Sequence, residues 1–359
     1  MKKNIVLITF VLGVTQMKAQ DSIKVNPLTI SGYVEAYYSY DLGNPFNHER
    51  PSFFYCFNRH NEVNLNIAFI KANYNTDKVR GNFAIMVGTY PQYNLSGEQG
   101  LLRNIFEANA GFKVSKKQNI WIDAGILPSH IGSESAIGKD CWTLTRSIGA
   151  DNSPYYEAGA RLSYTSKNEK LYLAALYLNG WQRIQRVVAN NTPAFGTQLT
   201  YKPVSKVTLN WSSYVGNDLP DSMMQLRIFN DLYAQFQITE KFGVLAGFDF
   251  GMQQINKDKS GMNNWFTPVL IVQVKPTDKI RIAARGEYYK DEKGVIISTG
   301  TPNGFQTFGY SLNVDYAISN NVLWRVEGRG LTSKDKVFLK EGKASTTNYF
   351  LTTSLAISF

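Results

Sequence analysis

The sequence predicts an all-β protein that closes into a transmembrane, antiparallel, up-and-down β-barrel of about sixteen strands. Three observations predict this class. Stretches of roughly eleven residues alternate apolar and polar side chains, which is the pattern of a half-buried strand. Short turns and long polar segments alternate between these stretches. The segment 347–359 keeps the same alternation and ends in Phe359.

Each alternating stretch is interpreted as one strand, and helix signals are nearly absent. The clearest helical signal is a short turn around 97–103, which we assign to a loop. The division between two strands at Pro203 rests on a single turn signal. The sixteen strands are predicted at 29–40, 60–74, 78–90, 104–115, 119–127, 154–166, 169–179, 194–203, 205–215, 226–239, 241–252, 263–275, 278–290, 304–318, 321–332 and 347–359.

The connections between these strands are of two kinds. Short connections carry the Asn, Asp, Pro and Ser residues that tight turns use, and they lie at 75–77, 115–118, 166–168, 203–204, 239–240, 276–278 and 319–320. Longer polar segments include 41–59, 128–153, 180–193 and 290–303. Short turns at one rim and long loops at the other are typical of membrane-spanning barrels, and an even strand number places both chain ends at the short-turn rim.

Strict alternation gives every strand two faces, and only one of them carries charge. The strand predicted at 278–290 has Arg281, Arg285 and Glu287 on one face and no charged residue on the other. If the ionic faces point inward, the charged residues of the lumen are Arg161, Glu157, Arg281, Arg285, Glu287, Arg325, Glu327 and Arg329.

A charge-free face suits either an apolar core or a lipid environment, and the number of strands decides between them. Eight strands enclose an interior that side chains just fill, so sixteen enclose a lumen too wide for an apolar core. Lipid outside and water inside satisfies both faces, and closure leaves no unpaired strand edge in hydrocarbon. A soluble protein of two stacked sheets or two smaller barrels is the alternative.

Aromatic residues on the charge-free faces support the lipid interpretation. Tyr156 and Tyr164 bracket small or aliphatic residues on one strand, and Phe308 and Tyr316 do the same on another. Eight residues of a tilted strand cover roughly 20 Å, close to the height of a lipid-facing band between aromatic girdles. For any one residue, β-propensity explains the aromatic ring equally well.

Residues 1–20 are expected to form a secretory signal, followed by a single barrel domain at 21–359. Lys2 and Lys3 precede an apolar run at 5–14, which is too short to span a bilayer as a helix. The chain carries 38 Lys and Arg against 28 Asp and Glu. These basic residues are scattered, with no run of five, which argues against nucleic acid as a partner.

The sequence contains two cysteines, Cys56 and Cys141. A secreted chain permits a disulfide, but two cysteines this far apart do not establish one. Their spacing excludes a CxxC metal or redox motif.

Together these features resemble those of Gram-negative outer-membrane proteins. The final alternating strand with its terminal Phe359 is similar to the assembly signal that barrel-insertion machinery reads. More narrowly, the opening Ile30-Ser31-Gly32-Tyr33-Val34-Glu35-Ala36-Tyr37-Tyr38 and the segment Gly125-Ile126-Leu127-Pro128 resemble the OmpL-like β-barrel porin family. This resemblance covers the whole chain after the signal. It implies an outer-membrane location among lipids and passive transport of small solutes.

Two sets of residues are candidates for that function. Rings of charged side chains select ions by sign, so the inward arginines predict a mild anion preference; the alternative is that Arg and Glu pairs only satisfy each other. The longest loop, 128–153, has the position of the loop that folds inward in general porins. We expect it to face the arginine wall and to set up a transverse field across a constriction. Its charged residues are Glu134, Lys139, Asp140, Arg146 and Asp151.

The sequence predicts no catalytic residues, no metal site and no cofactor. His48, His60 and His130 lie in or beside long loops, and no zinc spacing, phosphate loop or GxSxG motif is present. A lipase or protease at the rim that uses His60 or His130 is a minor alternative. The other alternative is a non-conducting barrel that acts as an adhesin or scaffold through its loops. A homo-oligomer is left open, because no surface patch in the sequence argues for one.

Overall fold

Sixteen strands of the chain form one closed antiparallel barrel, as the alternating pattern predicts. A computed structural model describes residues 26–359, so the predicted signal at 1–20 lies outside the described residues. Two further short strands, β16 and β17, pair only with each other as a hairpin. In chain order the strands are β1 (Leu28–Asp41), β2 (Val63–Asn75), β3 (Val79–Val87), β4 (Ile105–Lys113), β5 (Asn119–Pro128), β6 (Tyr156–Thr165), β7 (Leu171–Leu178), β8 (Ala194–Tyr201), β9 (Val207–Gly216), β10 (Arg227–Gln237), β11 (Phe242–Asn256), β12 (Lys259–Val274), β13 (Ile280–Asp291), β14 (Phe305–Ser319), β15 (Val322–Ser333), β16 (Phe338–Lys340), β17 (Lys343–Ser345) and β18 (Thr347–Ser358).

Helical structure is confined to short segments in the loops. The α-helices are α1 (Thr89–Asn94) and α2 (Ile148–Asp151), and 3₁₀ turns cover Gly100–Asn104, Gly138–Asp140 and Asp221–Met223. Within residues 26–359, none of these helices has the length and apolar character that a membrane crossing requires.

The barrel closes where its first strand meets its last. Strand β1 pairs with β2 on one side and with β18 on the other. At the short-turn rim, the amide of Gly32 donates to the Phe359 carbonyl at 2.7 Å, and the Phe359 amide donates back to Gly32 at 3.0 Å. The Phe359 ring lies against Gly32, where a β-carbon would collide with it.

Long loops collect at the opposite rim, and four of them matter below. We call them L1 (42–62), L2 (88–104), L3 (129–155) and L4 (179–193). The same rim also has L5 (217–226), the tight turn L6 (257–258), L7 (292–304) and L8 (334–346, with the β16–β17 hairpin). All connections at the other rim are tight, such as 320–321 between β14 and β15. The predicted alternation of short and long connections is therefore present in the fold.

The outer face of the barrel is apolar, as the charge-free strand faces predict. On β14, every second residue from Phe308 to Tyr316 is exposed, while the alternate residues Gly309, Ser311, Asn313 and Asp315 are buried. Trp324 on β15 and Leu351 on β18 continue the same exposed surface. Apolar side chains exposed over this many neighbouring strands exceed the patches found on soluble monomers. This surface therefore has the character of a lipid-facing band.

The prediction that Tyr156 and Tyr164 both lie on the lipid-facing surface is wrong for Tyr156. Tyr156 is only 5% exposed, and its hydroxyl donates to the Glu98 carboxylate of L2 at 3.3 Å. Tyr156 lies at the start of β6, where loop residues cover the wall. Strand alternation gives no information about such loop contacts, so the error lay in extending the lipid face to the end of the strand.

The interior differs from the expected water-filled lumen because two loops occupy its long-loop half. Phe53 and Phe54 of L1 and Ile148 of L3 belong to one buried cluster with the wall residues Trp265 and Tyr289. The width argument holds for wall side chains, which alone leave the lumen open. Here the loops supply the missing volume.

Candidate channel interior

L3 begins on β5 and crosses the barrel from a fixed base. The His130 ring lies 2.7 Å from a Glu157 oxygen through Nδ1 and 2.8 Å from the Ser213 carbonyl oxygen through Nε2. The Ser212 hydroxyl donates to the His130 carbonyl at 2.6 Å. Both ring nitrogens face acceptors, so the imidazolium form fits this site. Burial alone would lower the pKa of His130, but Glu157 and the Ser213 carbonyl raise it above the ordinary value.

From this base L3 reaches the opposite wall, where three arginines of β13 and β15 bind its backbone. Arg325 donates to the Gly138 carbonyl at 2.6 Å and to the Cys141 carbonyl at 3.0 Å. Arg285 donates to the Thr145 carbonyl at 2.6 Å, and Arg329 donates to that of Arg146 at 2.7 Å. Strands β13 to β15 lie across the barrel from β5 and β6, so L3 lies inside the lumen. We call β13–β15 with these side chains the arginine wall.

Carboxylates of the arginine wall also bind L3, by accepting hydrogen bonds from its backbone amides. A Glu327 oxygen accepts the Thr145 amide at 2.5 Å, and a Glu287 oxygen accepts the Ile148 amide at 2.6 Å. The same two carboxylates pair with arginines, Glu327 with Arg285 at 2.9 Å and Glu287 with Arg329 at 2.5 Å.

Arg325 pairs with Asp315 of β14 at 2.7 Å. The side chains of Arg285, Arg325 and Arg329 are each 0% exposed. These arginines therefore act as a binding surface for the loop, with their charge balanced by carboxylates.

The expected transverse field across a constriction does not fit this geometry. L3 lies inside the barrel and contacts the arginines, as the expectation required. No water-filled gap separates the two, however, because the guanidinium groups are buried against the loop backbone. A long loop that offers many carbonyl groups solvates the arginines directly, which sequence alone does not reveal.

The charged residues of L3 are spread over different surroundings. Glu134 accepts from the Ser147 amide at 3.1 Å and lies 3.9 Å from Arg285. Arg146 folds back on its own loop and donates to the carbonyls of Ser135 and Leu144. Asp151 is buried in α2.

Lys139 and Asp140 are exposed and lie 3.9 Å apart. Of the five predicted constriction-loop residues, only this pair meets solvent freely, since Glu134, Arg146 and Asp151 are buried. These five side chains therefore do not form a single charged surface.

L1 is a second loop inside the lumen, a position that the sequence analysis does not predict. Its Phe53 carbonyl accepts the Asn152 side-chain amide of L3 at 3.1 Å. Phe57 is fully buried and has a φ of 54°, a strained conformation for a bulky residue. The run Phe53-Phe54-Tyr55-Cys56-Phe57 was the available signal, because so many aromatic residues in a loop require a buried surface.

A second charged wall, formed by β3 to β6, remains partly open. Arg80 and Arg161 both bind Asp123, at 2.6 Å and 3.1 Å, and their side chains are 29% and 22% exposed. Gly111 lies between Arg80 and Asp123, and a β-carbon there would collide with the Asp123 carboxylate. We call Arg80, Asp123 and Arg161 the open triad. Arg80 and Asp123 were not among the predicted lumen residues, although their alternation places them on the inward face.

Uncharged polar groups continue this open wall across neighbouring strands. The Asn73 side-chain amide donates to Asn82 at 2.6 Å, and Asn82 donates to Asn109 at 2.9 Å. One step further toward the long loops, Lys71 pairs with Glu107 at 2.8 Å. The wall from β2 to β6 therefore offers hydrogen-bonding side chains that are only partly covered.

The other predicted residues have separate surroundings. Arg281 is exposed at the short-turn end of β13, and Glu157 is bound to His130. His60 accepts the Asp41 amide through Nδ1 at 2.9 Å, so both candidate histidines of the enzyme alternative serve structural contacts. Cys56 and Cys141 are free thiols, both buried. Among the described residues, no group of three or more His, Cys, Asp or Glu side chains is placed to hold a metal ion.

A closed sixteen-stranded barrel with an apolar band outside, a polar wall inside and an inward L3 defines the class of outer-membrane porin-like barrels. The sequence belongs to the family described as putative β-barrel porin-2, OmpL-like, whose model matches residues 27–359. The chain is therefore a multi-pass β-barrel of the outer membrane, in a family described as porins. No curated protein matches the sequence.

Solved structures of outer-membrane channels share this fold. The outer-membrane channel DcaP of Acinetobacter baumannii has a TM-score of 0.62 at 10% identity, with 92% of this chain and 97% of that chain covered. An anion-selective porin from Comamonas acidovorans has a TM-score of 0.61 at 9% identity, covering 92% and 99%. Outer-membrane expressed OmpT of Vibrio cholerae has a TM-score of 0.59 at 9% identity, covering 94% and 100%. At these identities the likeness concerns the fold alone.

Proposed function

We propose that this protein is a passive channel for small hydrophilic solutes whose path follows the open wall of β2 to β6. The proposal rests on one observation: a loop covers the arginine wall, whereas the open wall is only partly covered. L3 is bound across the arginine wall, where Arg285 is fully buried. The open triad and the asparagine row keep partly exposed polar atoms, which is what a water-filled path requires.

A mild anion preference is part of this proposal, and it rests on residues other than those of the arginine wall. The ion-paired cations of the open wall are Lys71, Arg80 and Arg161, against the carboxylates Asp123 and Glu107. Three positive charges against two negative ones leave a small excess of positive charge. The arginines beneath L3 contribute little, because carboxylates within salt-bridge distance balance them.

Conductance is further limited by the contact between L1 and L3 at the extracellular side. The aromatic cluster around Phe53 and Phe54 fills that half of the lumen. A solute path along β2 to β6 must therefore pass the edge of L1. We infer a small conductance that rises when L1 is displaced.

Recordings of single channels in planar bilayers test the proposal. The folded protein is expected to give steady, small conductance steps and a reversal potential with a modest anion preference in a KCl gradient. A barrel that is folded by heat-modifiable gel migration but gives no steps at all would reject the channel. That result would favour the adhesin or scaffold alternative, for which the L1–L3 packing is the supporting observation.

The remaining partners follow from the same surfaces. Membrane lipids surround the exposed apolar band, and we propose that barrel-insertion machinery reads the last strand with Phe359. We propose no homo-oligomer contact for this chain, although one OmpT structure from Vibrio cholerae is described as a trimer form.

A further inference from the structure

The extracellular mouth of the barrel contains a cavity of about 790 Å³. L1 forms one side, and L7 and the β16–β17 hairpin form the other. Phe53, Phe54, Phe305 and Phe338 contribute apolar surface to it. This volume and this mixture of apolar and polar groups suit a small organic molecule.

Arg50 supplies a buried cation to this cavity, and the Asp41 carboxylate of the same lining attracts it from beyond salt-bridge distance. Its side chain is 4% exposed, and Arg50 forms no ion pair with any residue of the described chain. One guanidinium edge is used, because Nη1 donates to the Phe57 carbonyl at 3.0 Å. Two aromatic rings lie against the guanidinium group, Phe350 at 3.6 Å and Phe54 at 4.3 Å, and they pack edge to face with each other at 5.5 Å.

The other guanidinium edge of Arg50 is free. Nε and Nη2 have no hydrogen-bond partner among residues 26–359, and both atoms are closed to water. This edge presents two parallel N–H groups, the fork that binds a carboxylate through both oxygens. A carboxylate that uses both N–H groups lies in the guanidinium plane.

Two amide oxygens in the same cavity also lack partners. They are Oδ1 of Asn58 and Oδ1 of Asn348, and both residues are buried. The Asn348 amide is oriented by its bond to Asp41 at 2.8 Å. Free acceptors of this kind bind hydroxyl or amino groups, so the cavity offers complementary positions for two kinds of ligand atom.

We propose that this mouth cavity binds a small organic carboxylate with an apolar body. The carboxylate pairs with the Nε–Nη2 edge of Arg50 and forms the ion pair that Arg50 lacks. The apolar body packs against the phenylalanines, and any hydroxyl or amino group donates to Asn58 or Asn348. Because both nitrogens are closed to water, binding requires the side chains around this edge to move. The site belongs to the mouth, so it is independent of whether the barrel conducts.

Calorimetric titration of the folded, full-length barrel in detergent tests the site with benzoate as the probe and benzamide as its neutral isostere. Benzoate is expected to bind saturably and at least about tenfold more tightly than benzamide, because only the carboxylate engages both N–H groups of the fork. Equal binding of the two compounds, or no saturable benzoate binding, would overturn the proposal. This comparison needs no variant, so it does not depend on any variant folding.

Arg50→Lys tests the residue itself, because it keeps the charge and removes the fork. Benzoate affinity is expected to fall about tenfold. Arg186→Lys is the matched control, since Arg186 of L4 also donates to a carbonyl and lies over an aromatic ring, but it does not line the cavity. The benzoate affinity of the Arg186→Lys protein is expected to stay within twofold of that of the parent protein. Unchanged binding in a folded Arg50→Lys protein would contradict the assignment.

Discussion

Two walls of this barrel carry the same chemistry and have opposite environments. The arginine wall and the open triad each combine arginines with carboxylates on inward strand faces, yet only the first is covered by a loop. Arg285 is 0% exposed, whereas Arg80 is 29% exposed. A charged inward face is therefore not by itself a pore lining. The loop that packs on it decides whether its charge acts on solutes or holds the fold together.

The largest expected difference between the walls is in stability. Arg285→Met removes one cation and leaves Glu287 and Glu327 buried with fewer partners, which is expected to lower the free energy of unfolding by about 3–5 kcal/mol. Arg161→Met at the open triad is the matched change, and water screens its charge, so it should cost about 1 kcal/mol or less. Urea unfolding of both variants in the same detergent measures this. Equal losses would remove the distinction between the walls.

A second, intermediate effect is expected in the pH dependence of stability, through L3 where it packs on the arginine wall. Burial raises the pKa of Asp151 in L3 from 3.8 to about 7, against the pull of Arg146 and Arg329. The folded protein then holds a proton that the unfolded chain releases, so stability falls as pH rises from about 4 to about 7. Asp151→Asn is expected to flatten this slope and to raise the free energy of unfolding at pH 8 by about 1–2 kcal/mol. Unfolding midpoints between pH 4 and pH 8 check the sign. An unchanged slope would show that Asp151 is solvated.

The smallest change in stability is expected at the open triad, where the effect should appear in ion selectivity instead. Arg161→Gln removes one of three cations and leaves Asp123 paired with Arg80. The reversal potential in a KCl gradient is expected to shift toward the equilibrium potential of K⁺. Arg329→Gln of the arginine wall is the contrast, because its guanidinium is buried and paired with Glu287. A larger selectivity shift in Arg329→Gln than in Arg161→Gln would reverse the comparison.

Strand periodicity was enough to predict the barrel and the direction of its side chains. The alternation on 278–290 assigned Arg285 and Glu287 to the same face, and in the structure they lie together on the inner face of β13. This succeeds because a pleated strand has a period of two, whatever surrounds it. The charge-free faces were equally informative, since lipid tolerates no unpaired charge.

Loop positions could not be predicted in the same way. L3 was expected inside the barrel by analogy, but its direct contact with Arg325 depends on backbone carbonyls that have no sequence signature. L1 was predicted as a polar loop, because the wall residues that bury Phe53 and Phe54 lie on strands far away in the sequence. Of the open triad, only Arg161 was predicted. Alternation also places Arg80 and Asp123 on inward faces, but their ion pairs depend on the register between strands.

The seam between β1 and β18 has a consequence for the order of events during biogenesis. Gly32 and Phe359 exchange two backbone hydrogen bonds, so the first barrel strand is completed by the last residue of the sequence. Until β18 pairs with β1, both strands have an unpaired edge, which hydrocarbon does not tolerate. The cylinder therefore cannot seal until two segments from opposite ends of the barrel sequence, 28–41 and 347–358, meet.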